Sequence, residues 1–224
     1  MTAYATRYGA PSEPPPRVSI VTTVYDRTAC LARCLRSVQQ STYRDLEQIV
    51  VSDAPGAAVE DEILRLVTAQ GDPRVRYLAL EQRAHDWGIT PAAVGLRASV
   101  GEFVCFLSDD NAYLPAHFPP LVAALDAEPA LGFVYTACQY AGRVRLADAP
   151  PKGGRIDLGQ PLFRRAAIRR HLHDDLPFTH HAWDWSLIAT LMQHGEPWRF
   201  LNQPTFIFRV ESYPQIRRTL EAAG

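Results

Sequence analysis

From Arg17 onward the chain alternates between two kinds of hydrophobic pattern. The segments 18–24, 48–52, 75–80, 103–107 and 133–139 are short and rich in apolar and β-branched residues, as expected of strands covered on both faces. Between them, 28–40, 59–69, 90–100 and 115–127 carry apolar positions at helical spacing. Strands that alternate with helix-length crossovers predict an α/β fold with a mostly parallel central sheet flanked by helices.

The second half is less regular. Pro150, Pro151, Gly153 and Gly154 predict a loop, 156–158 a short strand, and 162–171 an arginine-rich helix. Residues 183–194 carry a helical apolar stripe that stops at Gly195, and 198–201 and 205–210 predict two strands before a terminal helix over 214–223. Ahead of all this, residues 1–16 are proline-rich and polar, and predict a disordered or extended lead-in.

Composition narrows the function. Of 224 residues, 23 are Lys or Arg and 24 are Asp or Glu, so no basic field is available for nucleic acid. No apolar run approaches the length of a membrane span and the first residues lack a signal-like core, so the expected location is cytoplasmic. Four cysteines without CxxC or zinc-like spacing predict reduced thiols rather than disulfides or a zinc site.

The chemistry gathers where strands end. Segment 18–24 runs into Tyr25-Asp26-Arg27, segment 48–52 into Asp53, and segment 103–107 into Ser108-Asp109-Asp110-Asn111. In an open parallel sheet these ends face one crevice, where α/β proteins bind ligands. Two adjacent carboxylates after an apolar strand suit a hard cation, a helix cap or a substrate hydroxyl. The first turn lacks glycine and cannot cradle a pyrophosphate with its backbone, so a diphosphate would need another partner. Manganese or magnesium on Asp110 answers that need, with Asp109 turned toward a ribose or sugar hydroxyl. Later, Asp184 stands between Trp183 and Trp185 at the start of a helical stripe. It reads either as a partly desolvated general base or as a first-turn carboxylate favoured by the helix dipole.

The succession VSIVTTVYDR, LEQIVVSDAP, GEFVCFLSDDNAYLP and WDWSLIATLMQHG resembles the family-2 nucleotide-diphospho-sugar glycosyltransferases of the GT-A, Rossmann-like fold. The resemblance implies one glycosyltransferase domain over 17–224, with a nucleotide-binding half at 17–111 and a smaller, mixed acceptor-binding half at 112–224. It places nucleoside and donor contacts on Thr23, Tyr25, Asp26, Asp53, Arg83 and Asp109. A DXD-like metal site falls on Asp110 and Asp109, and the catalytic base on Asp184; His181, with His180, is available as a further metal or acceptor contact or as part of a solvent-facing histidine pair. The implied reaction is an inverting, metal-assisted hexosyl transfer from a nucleoside-diphosphate sugar, UDP-sugar favoured. The acceptor would be a small-molecule, saccharide or lipid-linked hydroxyl, and a homo-oligomer is compatible.

The sequence departs from the family pattern at Thr23, Ala93, Ser108 and Trp183, where Pro, Asn, Asp and Glu are the common residues. These departures keep a catalytically silent, nucleotide-binding GT-A domain in view. A sugar nucleotidylyltransferase is the nearest enzymatic alternative, although its glycine- and arginine-rich first loop is missing here.

Overall fold

A computed structural model describes residues 2–140, 143–145 and 147–208. The first half comprises β1 (Tyr4–Tyr8), β2 (Val18–Val24), α1 (Thr28–Gln39), β3 (Leu46–Ser52), α2 (Ala57–Ala69), β4 (Val75–Leu80), α3 (Ile89–Ala98) and β5 (Phe103–Ser108). The second comprises β6 (Ala112–Tyr113), α4 (Phe118–Ala127), β7 (Phe133–Tyr140), β8 (Arg143–Arg145), β9 (Pro161–Arg164), α5 (Arg165–Leu172), α6 (Trp183–Gln193) and β10 (Trp198–Ile207). All ten strands join one sheet in the order β1-β4-β3-β2-β5-β9-β7-β10-β6, with β8 beside β7. Strands β4, β3, β2 and β5 run parallel, as do β7 and β10. The short β9 runs antiparallel between β5 and β7 and welds the two halves together. The mixed sheet flanked by helices is the expected α/β architecture.

Period-two alternation divides the strands between the two helical layers. Ile20, Cys105 and Leu107 pack with Cys34 of α1 and Leu121 of α4, whereas Val21, Val104 and Phe106 pack with Leu96 of α3 and Leu187 of α6. Helix α3 lies close against the sheet at Gly95, where a β-carbon would come within 2.3 Å of Val21 Cγ1. This approach carries the start of α3 to the carboxyl edge of β2. The thiols of Cys34, Cys105 and Cys138 are buried, Cys30 is partly exposed, and none is paired.

Three sequence expectations are corrected and a fourth is decided. Of the two readings of the lead-in the extended one holds at Tyr4–Tyr8, which pairs antiparallel with β4 at the sheet edge, and Arg7 donates to Glu60 at 2.8 Å. Gly9, at φ +71°, passes so close to Val75 O that a β-carbon would sit 2.7 Å away. Segment 162–171 is not one helix, because Leu162 and Phe163 are fully buried in β9 and the helix starts only at Arg165. Residues 156–158 form no strand. Finally, 198–201 and 205–210 are not separate strands over the described residues. Residues 198–201 and 205–207 belong to β10, whose register shifts on either side of Pro204, where a missing N–H is tolerated, and 209–210 lie outside the described residues. The terminal helix expected over 214–223 lies outside the described residues.

Candidate active site

Strand register builds the site. Thr23 is paired with Val51 on one side and with Ser108 on the other, so the segments after β2, β3 and β5 leave the sheet side by side. Beyond β5 the chain turns through an Asn111 N–H to Ser108 C=O hydrogen bond of 3.0 Å, and Asp109, Asp110 and Asn111 fold inward. Asp109 is fully buried and Asp110 is 4 % exposed.

Two adjacent buried carboxylates need a cation, and Arg27 supplies it. Its Nη1 donates to Asp110 Oδ2 at 2.7 Å, its Nε to Asp109 Oδ2 at 3.3 Å, and its Nη2 to Asp109 Oδ1. Burial still pushes the Asp109 carboxyl up to about 7, against the pull of Arg27 and with the help of Asp110. Arg27 carried no role in the sequence reading. Its signal was its place one residue after the β2 turn, opposite the acidic pair.

Two cavities of about 440 Å³ each open along this edge. The first is lined by Tyr25, Arg27, Asp53, Arg83 and Asp109. Within it the Arg83 guanidinium lies 3.8 Å from the Tyr25 ring centroid, and Asp53 Oδ1 accepts the Ala84 N–H at 2.7 Å. Burial raises the Asp53 carboxyl above its ordinary value, opposed by that hydrogen bond. The second cavity is lined by Asp110, Asn111, Asp157, His181, Trp183 and Asp184. Thr23, Trp87 and Ser108 line both. Asp26 is exposed and lines neither.

Asp184 sits in the first turn of α6, and its Oδ1 accepts the Trp185 N–H at 2.7 Å. Burial raises its carboxyl, while that hydrogen bond and the nearby His181 and His180 oppose the rise. Asp184 is thus a helix-start carboxylate on the wall of the second cavity. Trp183 is mostly core: its ring meets Phe106 edge-on, and its indole N–H donates to the Trp87 carbonyl at 3.2 Å. His181 lies edge-on to the Trp87 ring, whereas His180 contacts Ser186.

Asp157 was missed. It leaves the sheet in the loop before β9, where its Oδ1 accepts the Gly159 N–H at 2.8 Å and faces Asn111 Nδ2 at 3.5 Å. Burial pushes its carboxyl up to about 7, reinforced by Asp184 and Asp110. The available signal was a carboxylate between Ile156 and Leu158, an apolar setting that a purely surface aspartate does not need.

Among the described residues no three His, Cys, Asp or Glu side chains form a group able to hold a metal on their own. A hard cation that keeps substrate phosphate oxygens in its shell needs only one or two carboxylates, and Asp110 on the cavity wall fits that requirement. No helix among the described residues is long and apolar enough to cross a membrane.

The chain matches the family model described as Glycosyl transferase family 2 over residues 19–182. It is 36% identical over 124 residues to the O-antigen biosynthesis protein RfbC of Myxococcus xanthus, covering 54% of this chain and 9% of that protein. Among solved structures it superposes on the mannosyltransferase PcManGT of Pyrobaculum calidifontis in complex with GDP-Man and Mn2+. There the TM-score is 0.73 at 16% identity, covering 96% of this chain and 63% of that one. TarS 1-349 of S. aureus in complex with UDP-GlcNAc superposes with a TM-score of 0.71 at 16% identity, covering 86% and 58%. At such identities the likeness concerns the fold, which is the GT-A fold. The chain spans less than two thirds of these relatives' own lengths.

Proposed function

Because the chain belongs to glycosyl transferase family 2, we propose that it moves a sugar from a nucleoside-diphosphate sugar, UDP-sugar favoured, to an acceptor hydroxyl with inversion at the anomeric carbon. The observation that carries this reading is the pair of joined cavities. One holds Asp53, Tyr25 and Arg83, the groups suited to a nucleoside, and the other holds Asp110 and Asp184.

In this reading the Asp53 oxygen not engaged by Ala84 accepts the N3–H of the pyrimidine, and Tyr25 with Arg83 offers a flat cationic surface to the base. Asp109 is turned toward the ribose side, and Thr23 sits at the junction where the diphosphate crosses from one cavity to the other. Asp110, with His181 across the cavity, would hold the manganese or magnesium ion. Bound there, such an ion would neutralise charge on the departing diphosphate.

Asp184 takes the proton from the acceptor hydroxyl as its oxygen attacks the anomeric carbon. The bond from that carbon to the diphosphate oxygen breaks, and its electron pair leaves with the nucleoside diphosphate. A carboxyl raised by burial is a better base than a solvated aspartate, and the Trp185 N–H keeps it aimed.

The test is a thermal-shift panel of nucleoside diphosphates with and without manganese, followed by a transfer assay. A metal-dependent shift with UDP and turnover lost in Asp184→Asn supports the reading. Binding without any turnover, including donor hydrolysis, would identify a silent nucleotide-binding domain instead.

A further inference from the structure

The loop from β4 to α3 crosses the carboxyl edge of the sheet in an unfavourable conformation. His85 and Trp87, both with φ of 57°, and then Gly88 at φ 85°, occupy the left-handed region. For a residue as bulky as tryptophan that is an outlier, and such outliers persist only where surrounding contacts fix them. Contacts do so here from both sides. The Trp87 carbonyl accepts the Trp183 indole N–H, and Asp86 Oδ2 accepts both the N–H and the hydroxyl of Thr90 at 2.9 and 2.6 Å.

What this pinned backbone presents is an indole that is not buried. Trp87 is 64 % exposed, more than any other large apolar side chain among the described residues. Its side chain meets His181 edge-on, at 6.3 Å between centroids, and lines both cavities. Tryptophan ordinarily hides most of its surface, so an indole held open at the junction of two cavities calls for a ligand with a flat apolar face. Its setting narrows that ligand further. Asp157 and Asp184 line the same cavity, so the ligand carries hydroxyls as well. One chemical class has an apolar C–H face and a hydroxyl-bearing rim: a pyranose ring.

We propose that the Trp87 indole is the platform on which a substrate pyranose lies, and that the strained loop exists to hold it there. The proposal rests on the glycosyltransferase reading and adds a specificity-determining residue to it. The pyranose is either the donor sugar or a sugar of the acceptor, and the same experiment separates the two.

The full chain is compared with Trp87→Ala and Trp87→Phe, using UDP, a panel of UDP-sugars and transfer kinetics. UDP alone is the reference ligand: a loss of UDP affinity in Trp87→Ala as large as the loss of UDP-sugar affinity would put the indole against the nucleotide and overturn the proposal. If the donor sugar stacks, Trp87→Ala binds the UDP-sugar about tenfold more weakly, the scale of one lost aromatic contact with its buried area, and Trp87→Phe recovers most of it. If an acceptor sugar stacks, donor affinity and donor hydrolysis are kept while the acceptor KM rises by a similar factor, again rescued by Phe. Wild-type UDP-sugar affinity and acceptor KM in a folded Trp87→Ala protein would overturn the proposal and leave the glycosyltransferase reading standing. A wild-type protein that binds no nucleoside diphosphate would overturn both.

Discussion

Arg27 Nη1 donates to Asp110 Oδ2 at 2.7 Å, and the other arm of the same guanidinium closes on Asp109. One cation thus serves two neighbouring carboxylates that are almost wholly buried. A buried charge pair gives little net stability, but removal of one partner strands the other. Arg27→Ala is therefore expected to lose about 3 kcal/mol of stability near pH 8. The direction with pH follows from Asp109, whose carboxyl already titrates near 7 in the folded protein, above the ordinary aspartate value of 3.8, and would rise further without Arg27. A raised folded value favours folding at low pH and withdraws that support as pH climbs, so the deficit should shrink below about pH 6. Melting curves of both proteins from pH 5 to 8 check this. A deficit independent of pH would mean that Arg27 contributes packing rather than charge.

Asp157 obeys the same sign rule without a guanidinium partner. Its carboxyl is pushed up to about 7 by burial, then by Asp184 and Asp110, from an ordinary 3.8. Its contribution to stability is fully present below about pH 4 and is lost as pH rises through 7. Asp157→Asn keeps an oxygen for the Gly159 N–H and removes the charge. The variant is expected to melt higher than wild type at pH 8, by a few degrees, with the gap closing toward pH 4. Calorimetric scans across that range decide it, and equal melting temperatures at pH 8 would show that the carboxylate is better solvated than its surroundings imply.

The difference between Asp157 and Asp110 also marks how far the sequence could be read. The apolar runs of β2, β3 and β5 end abruptly in polar residues, so their parallel pairing and the convergence of Thr23, Asp53 and Asp110 were legible in the sequence. Segment 161–164 was not, because Arg164 beside Arg165 continues a helix-like pattern. It ends a strand that pairs with Phe103, and its guanidinium reaches the Leu125 and Leu131 carbonyls. β1 was hidden by the prolines that follow it and by a register shift between Thr6 and Tyr8 that breaks its alternation. Asp157 and Trp87 lie on loops, and a loop's aim is set by tertiary contacts such as Trp183 to Trp87, which leave no periodic trace. The positive φ at Trp87 has no sequence signature either, since a bulky tryptophan does not favour that region.

The two carboxylates assigned to chemistry should fail differently. Asp184→Asn retains the Trp185 contact through its amide oxygen and loses only the proposed base, so kcat should fall by roughly 10²- to 10⁴-fold with UDP-sugar affinity unchanged. Asp110→Asn should instead abolish the manganese-dependent part of the UDP thermal shift, a readout independent of turnover. Single-turnover transfer and thermal shift on both variants separate the roles. Equal loss of the metal-dependent shift in both would place Asp184 on the cation rather than on the acceptor.

Trp87 offers a test of strain that does not depend on substrate. At φ 57° an alanine keeps the left-handed penalty that the tryptophan bears, whereas a glycine does not. The indole is mostly exposed, so little burial is lost in either variant. Trp87→Gly is therefore expected to be more stable than Trp87→Ala by about 1 kcal/mol, the left-handed cost for an L-residue less the extra chain entropy of glycine. In a chain this size that is a difference of about 2–4 °C in melting temperature. Both variants lose the ring, so both should lose the same sugar contact, and stability and ligand affinity would move independently along the series Trp, Ala, Gly. A glycine variant that melts no higher than the alanine variant would mean that the loop relaxes out of the left-handed conformation once the indole is gone. In that case the ring's own contact with His181, rather than the backbone hydrogen bonds, holds the strain in place.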